Sequence, residues 1–393
     1  MDTRRSTLIF VDYLPTGFKR YAESIITELR TIDSSLRFVA VYMQETKDGH
    51  LDCFDEHICA GKFNYNPRTV LETYNPDGVV LFAHRFFDYM FTIEAHKIDI
   101  PVFNFQHGLY MDSTVISKLS KDSAIQLIKK KKEQIKLYTR CIYFMNQKNI
   151  RSTLLMLADL GHNHNMYDVI NKRFSGYCNA DLSFIYGKYW KNYYIEQYKE
   201  IKSNYKVVGY PELEGQLKEA GCLFNNKLPT VCYLAQTSVE DGIVEEDVLK
   251  AFLSVLEEKI DTINLILKLH PRSNSELYKT LTDRTDNVII WNYPEFPECD
   301  CYIGHESTVV ARALYITNKT MVYRLSEGRI SPFEKYTDYA CTNRLDFSEQ
   351  LSLMLKATKK VDISNDLKAY VYRNPSGAIK ETAQILYNTV RKE

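Results

Sequence analysis

Short unbroken apolar runs, each closed by turn residues and spaced by helix-length amphipathic stretches, recur along the whole chain. The first is Leu8-Ile9-Phe10-Val11, followed by the turn Pro15-Thr16-Gly17 and an amphipathic run from Lys19 to Arg30, so the chain opens as strand, loop, helix. Arg37 to Met43, Gly78 to Ala83, Pro101 to Phe105, Asp181 to Tyr186 and Tyr205 to Val208 read as further strands. After Gly209-Tyr210-Pro211 the stretch Glu212 to Asn226 has the polarity of a connector. A second series then starts at Pro229 to Ala235 and continues through Thr262 to Leu269, Asn287 to Trp291, Cys301 to Gly304 and Lys319 to Tyr323. Strands alternating with helices imply parallel sheets covered by helices. Two such series predict an α/β protein of two facing Rossmann-like domains: residues 1–212, a linker 213–228, a second domain 229–364, and a C-terminal helix within 365–393 that packs back across both.

Composition agrees with this division. A chain of 393 residues exceeds what one core organises at about one domain per ~150 residues. Fifty Lys plus Arg balance fifty Asp plus Glu, and 45% apolar with 25% charged residues is ordinary globular usage, which excludes disorder, collagen and coiled coil. Without a basic excess there is no phosphate-neutralising field, so nucleic acid is not an expected partner. The longest apolar run, Phe38 to Met43, falls well short of the ~18–20 residues that span a bilayer. Met1 to Ser6 lack the apolar region of a secretory signal, so a cytoplasmic location is expected. Nine cysteines, an odd number among apolar neighbours, fit reduced thiols, and Cys299 with Cys301 make too weak a pattern for a metal site. A helix is expected over Asp122 to Tyr138; its Lys129-Lys130-Lys131-Lys132 run is either a solvated face or an attraction to anionic lipid headgroups at the inner membrane face.

Ligands of open parallel sheets collect beyond the carboxyl ends of the strands, so unusual polar residues there carry weight. Four segments qualify. In Gln106-His107-Gly108, His107 is either a turn histidine or a base near neutral pH, with Gly108 admitting close backbone approach. In Gln236-Thr237-Ser238-Val239-Glu240-Asp241-Gly242, the acids either open the next helix or act as base or nucleophile, Asp241 first and Glu240 in support. His270-Pro271-Arg272 puts an imidazole outside the sheet on a stiff turn, where in its protonated form it would protonate a departing phosphate oxygen, with Arg272 a second cation. Gly304-His305-Glu306-Ser307-Thr308 runs from a strand into a helix, whose free amides and two hydroxyls make an anion site, although simple capping also uses one of them. No Walker loop and no G-x-G-x-x-G occurs, which argues against ATP or nicotinamide bound in the usual way.

Glu240-Asp241-Gly242, His270-Pro271 and Ser307-Thr308 stand in the order and regions seen in bacterial sialyltransferases of the GT-B fold, which the stretch Ala235 to Arg272 resembles. A similar arrangement occurs in bacterial β-Kdo transferases of capsule and O-antigen assembly. Both use CMP-linked 2-keto sugar acids. The resemblance implies a GT-B glycosyltransferase, with Asp241 as catalytic acid and His270 assisting the departing CMP. Ser307 and Thr308 would hold the phosphate, together with Gln236, Pro271, Arg272 and Gly304 around them. Sialyltransferases of this type invert the anomeric centre and β-Kdo transfer retains it, so Asp241 is base or nucleophile accordingly. It implies metal-independent transfer with no cofactor besides the CMP-sugar donor, and a glycan or glycolipid acceptor. Arg85, Arg272 and Lys268 are candidates for the donor carboxylate. Gln106-His107-Gly108, Gly209-Tyr210-Pro211 and Ser307-Thr308 also resemble polyol-phosphate transferases of teichoic-acid synthesis, in which His107 would be the base and a CDP-alcohol the donor. A non-catalytic carbohydrate-binding protein of the same fold is the third reading.

Overall fold

The computed structural model describes the chain apart from residues 1–4, 45–50, 110–131, 163–164, 215–216, 220–222, 294, 326–330, 360–363 and 392–393. It divides into two compact units. The first runs to Glu212, apart from a few residues after Gly108, and takes in Asn374–Glu393; the second is built from Leu213–Arg373.

Unit 1 carries β1 (Thr7–Asp12), β2 (Arg37–Tyr42), β3 (Glu56–Cys59), β4 (Gly78–Leu81), β5 (Val102–Phe105), β6 (Leu182–Ile185) and β7 (Asn204–Val207). They form one parallel sheet in the order β3-β2-β1-β4-β5-β6-β7. The apolar runs are continuous because both faces are covered: Ile9, Val11, Val39 and Val41 enter one core, Leu8, Phe10, Phe38 and Ala40 the other. That second core is closed by Ile25, Ile26 and Leu29 of the Glu23–Ile32 helix together with Ala383 and Leu386 of the Ala378–Arg391 helix.

Unit 2 begins with β8 (Leu217–Glu219), paired in parallel with β12 (Phe296–Glu298) in a small separate sheet. Its main sheet holds β9 (Thr230–Leu234), β10 (Asn264–Lys268), β11 (Val288–Ile290), β13 (Cys301–Gly304), β14 (Thr320–Tyr323) and β15 (Tyr339–Cys341). All pairings are parallel, in the order β11-β10-β9-β13-β14-β15. Val231, Tyr233, Leu265 and Leu267 face one core and Cys232, Leu234 and Ile266 the other.

Two sequence expectations change. The helix expected from Asn365 to Val390 is two helices, Asn365–Tyr370 and Ala378–Arg391. Pro375-Ser376-Gly377 breaks it, with Gly377 at φ 91, a conformation glycine adopts without penalty. Here Asn374 donates from Nδ2 to the Val208 carbonyl at 3.2 Å, which ties the break to the end of β7. The connector Glu212 to Asn226 contributes a strand, β8, rather than coil throughout. The helix expected over Asp122 to Tyr138 is described from Lys132 to Met145, while Lys129, Lys130, Lys131 and the side chain of Lys132 lie outside the described residues. Among the described residues no helix is long and apolar enough to cross a membrane, and the described cysteines are free thiols.

At the opposite end of sheet 1 from the strand tips, His96 faces the Tyr177 carbonyl with Nδ1 at 2.9 Å and Asp181 Oδ2 with Nε2 at 3.0 Å. Burial disfavours its charge, but the Asp181 hydrogen bond and charge outweigh burial and raise its proton affinity. Burial likewise pushes the Asp181 carboxyl up, while hydrogen bonds from His96 and the Val102 amide bring it net below its ordinary value. A raised histidine stabilises the fold below its unfolded pKa and loses that contribution as pH rises; a lowered carboxylate does so above its own and loses it as pH falls. The pair therefore contributes most between about pH 4 and 6.5. Asp181→Asn should cost more stability at pH 5 than at pH 8, measured by urea unfolding at both; an equal cost would remove the charge pairing from the account. Leu386→Ala, which opens a fully buried site in unit 1, is expected to cost about 2–5 kcal/mol in the same assay.

Candidate functional site

In unit 2 the chain leaves β9 for β10 and β11 on one side, while β13, β14 and β15 occupy the other. Adjacent strands whose connections diverge leave a crevice at their carboxyl ends, which is where open α/β sheets bind ligands. The loops after β9, β10 and β13 meet at this edge.

The loop after β9 is a tight coil: the Asp241 amide donates to the Thr237 carbonyl at 2.8 Å and the Ile243 amide to Ser238 at 2.7 Å. Gly242 closes it at φ 65, a left-handed conformation with open space beside it. The following helix starts only at Glu246, so Glu240 and Asp241 belong to the loop and do not open the helix. Asp241 accepts from Arg272 Nη1 at 2.7 Å and Nη2 at 3.0 Å, a two-pronged pairing, and from Thr237 Oγ1 at 2.6 Å. Arg272 Nη2 also donates to Thr237 Oγ1 at 3.1 Å. Glu240 Oε1 accepts from the Asn274 amide at 2.6 Å. Both carboxylates are thus tied to the loop after β10, one through a side chain and one through the backbone. The Arg272 hydrogen bonds, then that of Thr237, hold the Asp241 carboxyl below its usual range.

His270 sits exposed at the tip of this second loop. Its Nδ1 accepts from the Arg272 amide at 3.1 Å, so the neutral ring carries its proton on Nε2, which is left for a ligand. Partial burial and then the Arg272 charge lower its proton affinity, against smaller opposing contributions from Asp241 and Glu240. This lowering favours the neutral ring, with Nε2–H as the donor, and an anion beside it would favour the imidazolium expected from the sequence. Pro271 follows it in the exposed turn.

The third loop rests on His305, fully buried and bonded at both nitrogens: Nδ1 to the Tyr323 carbonyl at 2.7 Å and Nε2 to the Tyr233 hydroxyl at 2.9 Å. A carbonyl only accepts, so Nδ1 bears the proton and Nε2 accepts from Tyr233. Burial pushes its pKa down to about 4. The ring thereby joins β9, β13 and the end of β14. Gly304 lets the next helix come close, since a Cβ there would lie 2.6 Å from Val310 Cγ2. Ser307 caps the Thr308–Ile316 helix, its Oγ accepting from the Val309 amide at 3.3 Å, and Thr308 is the first helical residue.

Gln236 spans the crevice between β9 and β13. With its amide turned so that the oxygen meets donors, it accepts from the Glu306 amide at 3.1 Å and from the Ser307 amide, while its nitrogen donates to Ser238 Oγ at 3.3 Å. The Glu306 and Ser307 amides are thereby satisfied within the protein. Lys268, at the end of β10, lies 5.7 Å from the Phe296 ring centre and Arg312 5.4 Å from the same ring. Burial first, then Arg312 among nearby charges, lowers the Lys268 proton affinity.

Unit 2 therefore gathers Gln236, Glu240, Asp241, His270, Pro271, Arg272, Gly304, Ser307 and Thr308 at one sheet edge. His107 belongs to unit 1. Its turn is pinned on either side: Gln106 accepts from the Tyr186 amide at 2.9 Å, and the Gly108 amide donates to Glu212 Oε1 at 2.8 Å. Arg85 is corrected as a carboxylate-binding candidate. Its guanidinium is held by Asp12 at 2.8 Å and by Asp88 at 2.8 and 3.0 Å, across the β1/β4 switch point of sheet 1. Arg272 too is engaged by a carboxylate of the protein. His305 was missed: its place after Gly304 is visible in the sequence, but nothing there reveals that its ring turns into the core towards Tyr233.

Two units, each with a parallel Rossmann-like sheet covered by helices, correspond to the GT-B fold, and solved structures agree. UDP-GlcNAc 2-epimerase from Methanocaldococcus jannaschii matches over 97% of this chain and 99% of its own, at 13% identity and TM-score 0.55. The Neisseria meningitidis UDP-GlcNAc 2-epimerase bound to UDP-GlcNAc gives 12% identity and TM-score 0.52, over 98% of this chain and 100% of its own. Medicago truncatula UGT71G1 complexed with UDP-glucose gives 11% and 0.52 over 98% of each chain. No family model matches the sequence, and no curated protein does. Likeness at these identities establishes the fold.

Because Arg272 is the main cause of the low Asp241 value, Arg272→Ala should move the carboxyl titration up towards the ordinary value near 4. Carbon-detected NMR over a pH series reads this directly; an unmoved midpoint would mean that the pairing is absent in solution.

Proposed function

We propose that this protein is a glycosyltransferase that moves a 2-keto-3-deoxy sugar acid, Kdo or sialic acid, from its CMP donor to a bacterial surface glycan of the capsule, O-antigen or lipooligosaccharide kind. The observation that carries the reading is the meeting of Asp241, His270 and the start of the Thr308–Ile316 helix at the switch point of unit 2. The neighbours named for UDP-sugars support a nucleotide-sugar donor in general; CMP and the keto acid rest on the order of Glu240-Asp241-Gly242, His270-Pro271 and Ser307-Thr308.

In this reading the donor phosphate lies against the helix start, taking the Thr308 hydroxyl and displacing the Gln236 oxygen from the Glu306 and Ser307 amides. His270 donates from Nε2 to the bridging phosphate oxygen, and the phosphate's charge raises the ring's proton affinity as the bond to the anomeric carbon breaks. Arg272 exchanges Asp241 for the donor's negative charge. That exchange returns proton affinity to Asp241, which accepts the acceptor hydroxyl's proton as that oxygen bonds to the anomeric carbon. In a retaining course the same freed carboxylate is the nucleophile. Lys268, half-buried with little compensation, is the remaining candidate for the sugar carboxylate.

A second reading draws on the pinned turn of Gln106-His107-Gly108: His107 as base with a CDP-alcohol donor. Nucleotide release from CMP-Kdo, CMP-sialic acid, CDP-glycerol and UDP-GlcNAc, each with purified protein, separates the readings. Release from a CMP-keto acid alone is expected. Release from CDP-glycerol alone supports the second reading, and none from any of them a binding protein. Asp241→Asn and His270→Ala should each lower transfer at least ~10²-fold with unchanged thermal unfolding; wild-type turnover in both would refute the assignment.

A further inference from the structure

The Ile150–His162 helix of unit 1 is apolar on two sides. Inward, Thr153 and Met156 are buried, and Leu157 and Leu160 pack on the core. Outward stand Ile150, Leu154 and Leu155 at 68%, 61% and 52% exposure, with Ala158 also exposed. Ile150, Leu154 and Ala158 follow each other at i, i+4, so they form one ridge, and Leu155 lies beside it. A helix on the surface of a water-soluble body ordinarily turns charged and polar residues outward. Here the outward ridge is aliphatic.

Exposed cations stand on this helix, in the turn before it and on the preceding helix. Arg151 lies one turn before Leu155 on the same side and is exposed. Lys148 is exposed in the turn before the helix, its Nζ 5.8 Å from the Phe144 ring centre, and Arg140 is exposed on the preceding helix, 5.3 Å from Tyr65. The helix has one acidic residue, Asp159, and its carboxylate is taken by Arg173, with Nε at 3.1 Å. An aliphatic ridge edged by cations, with its carboxylate neutralised internally, matches an occupant that offers hydrocarbon beneath a negative surface. A second copy of the same face would instead bring Arg151 and Lys148 towards like charges.

We propose that the outer face of the Ile150–His162 helix docks on a bilayer containing anionic phospholipid. Ile150, Leu154 and Leu155 enter the headgroup boundary, and Arg151, Lys148 and Arg140 pair with lipid phosphates. The proposal uses no residue of the lysine run 129–132 and none of the strand-end site of unit 2. It does not rest on the transferase reading, because binding is measured with no donor present.

The test is co-sedimentation of the full chain with vesicles of phosphatidylcholine mixed with phosphatidylglycerol, and with phosphatidylcholine alone. Binding should be at least ~5-fold stronger on the anionic vesicles and weaken as salt is raised. The double variant Leu154→Glu/Leu155→Glu should lose binding with unchanged thermal unfolding, and Arg151→Glu/Lys148→Glu should lose the anionic preference. No binding, equal binding to both vesicles, or wild-type binding by the leucine variant overturns the proposal. So does a concentration-dependent dimer that the leucine variant abolishes, because the occupant is then another copy.

Discussion

The strand-end site of unit 2 depends on a buried imidazole that never needs to change charge. His305 accepts a hydrogen bond from the Tyr233 hydroxyl and donates one to the Tyr323 carbonyl, and with both nitrogens used it fixes where β13 ends. From that point the positions of Glu306, Ser307 and the first helical turn follow. Leaving either nitrogen unpaired in such a dry setting would cost about 1–3 kcal/mol, so the arrangement is strongly preferred over its alternatives. With burial holding the ring near pKa 4, it stays neutral throughout the physiological range. Movement at this site is thereby left to the exposed loops.

Those loops are held by a different kind of contact. Asp241 and Arg272 are paired in solvent, with side-chain exposures of 34% and 62%, where ion pairs are weak and readily exchanged. Arg85 contrasts with this: it is engaged by two carboxylates at the equivalent switch point of unit 1, and burial of Asp88 makes the arrangement hard to undo. One switch point is cross-linked and the other is latched. That difference in attachment is a physical reason to look for ligand chemistry in unit 2.

Much of the architecture was legible because parallel strands covered on both faces appear as continuous apolar runs, as Leu8 to Val11 and Val231 to Leu234 do. The strands that escaped notice are short and peripheral. Glu56–Cys59 and Tyr339–Cys341 form sheet edges with few buried residues, and Leu217–Glu219 exists only by pairing with Phe296–Glu298. The broken C-terminal helix was foreshadowed by Pro375 and Gly377, whose breaking effect the amphipathic pattern on either side concealed. Site positions were legible from the strand-end rule. Their partners were not: Arg272 lies 31 residues from Asp241, and the Gln236 contacts to Glu306 and Ser307 join loops of different strands. Spacing along the chain carries no record of such pairings.

Chain order adds a temporal dimension. Unit 1 draws its last helix, Ala378–Arg391, from beyond the whole of unit 2. During vectorial synthesis on a ribosome unit 2 is made before that helix is, so the part of the Ile25, Ile26 and Leu29 core that Ala383 and Leu386 complete stays open until unit 2 has been synthesised. Unit 1 is thus begun before unit 2 and sealed after it, and in that interval its open core face is exposed to whatever factors attend nascent chains.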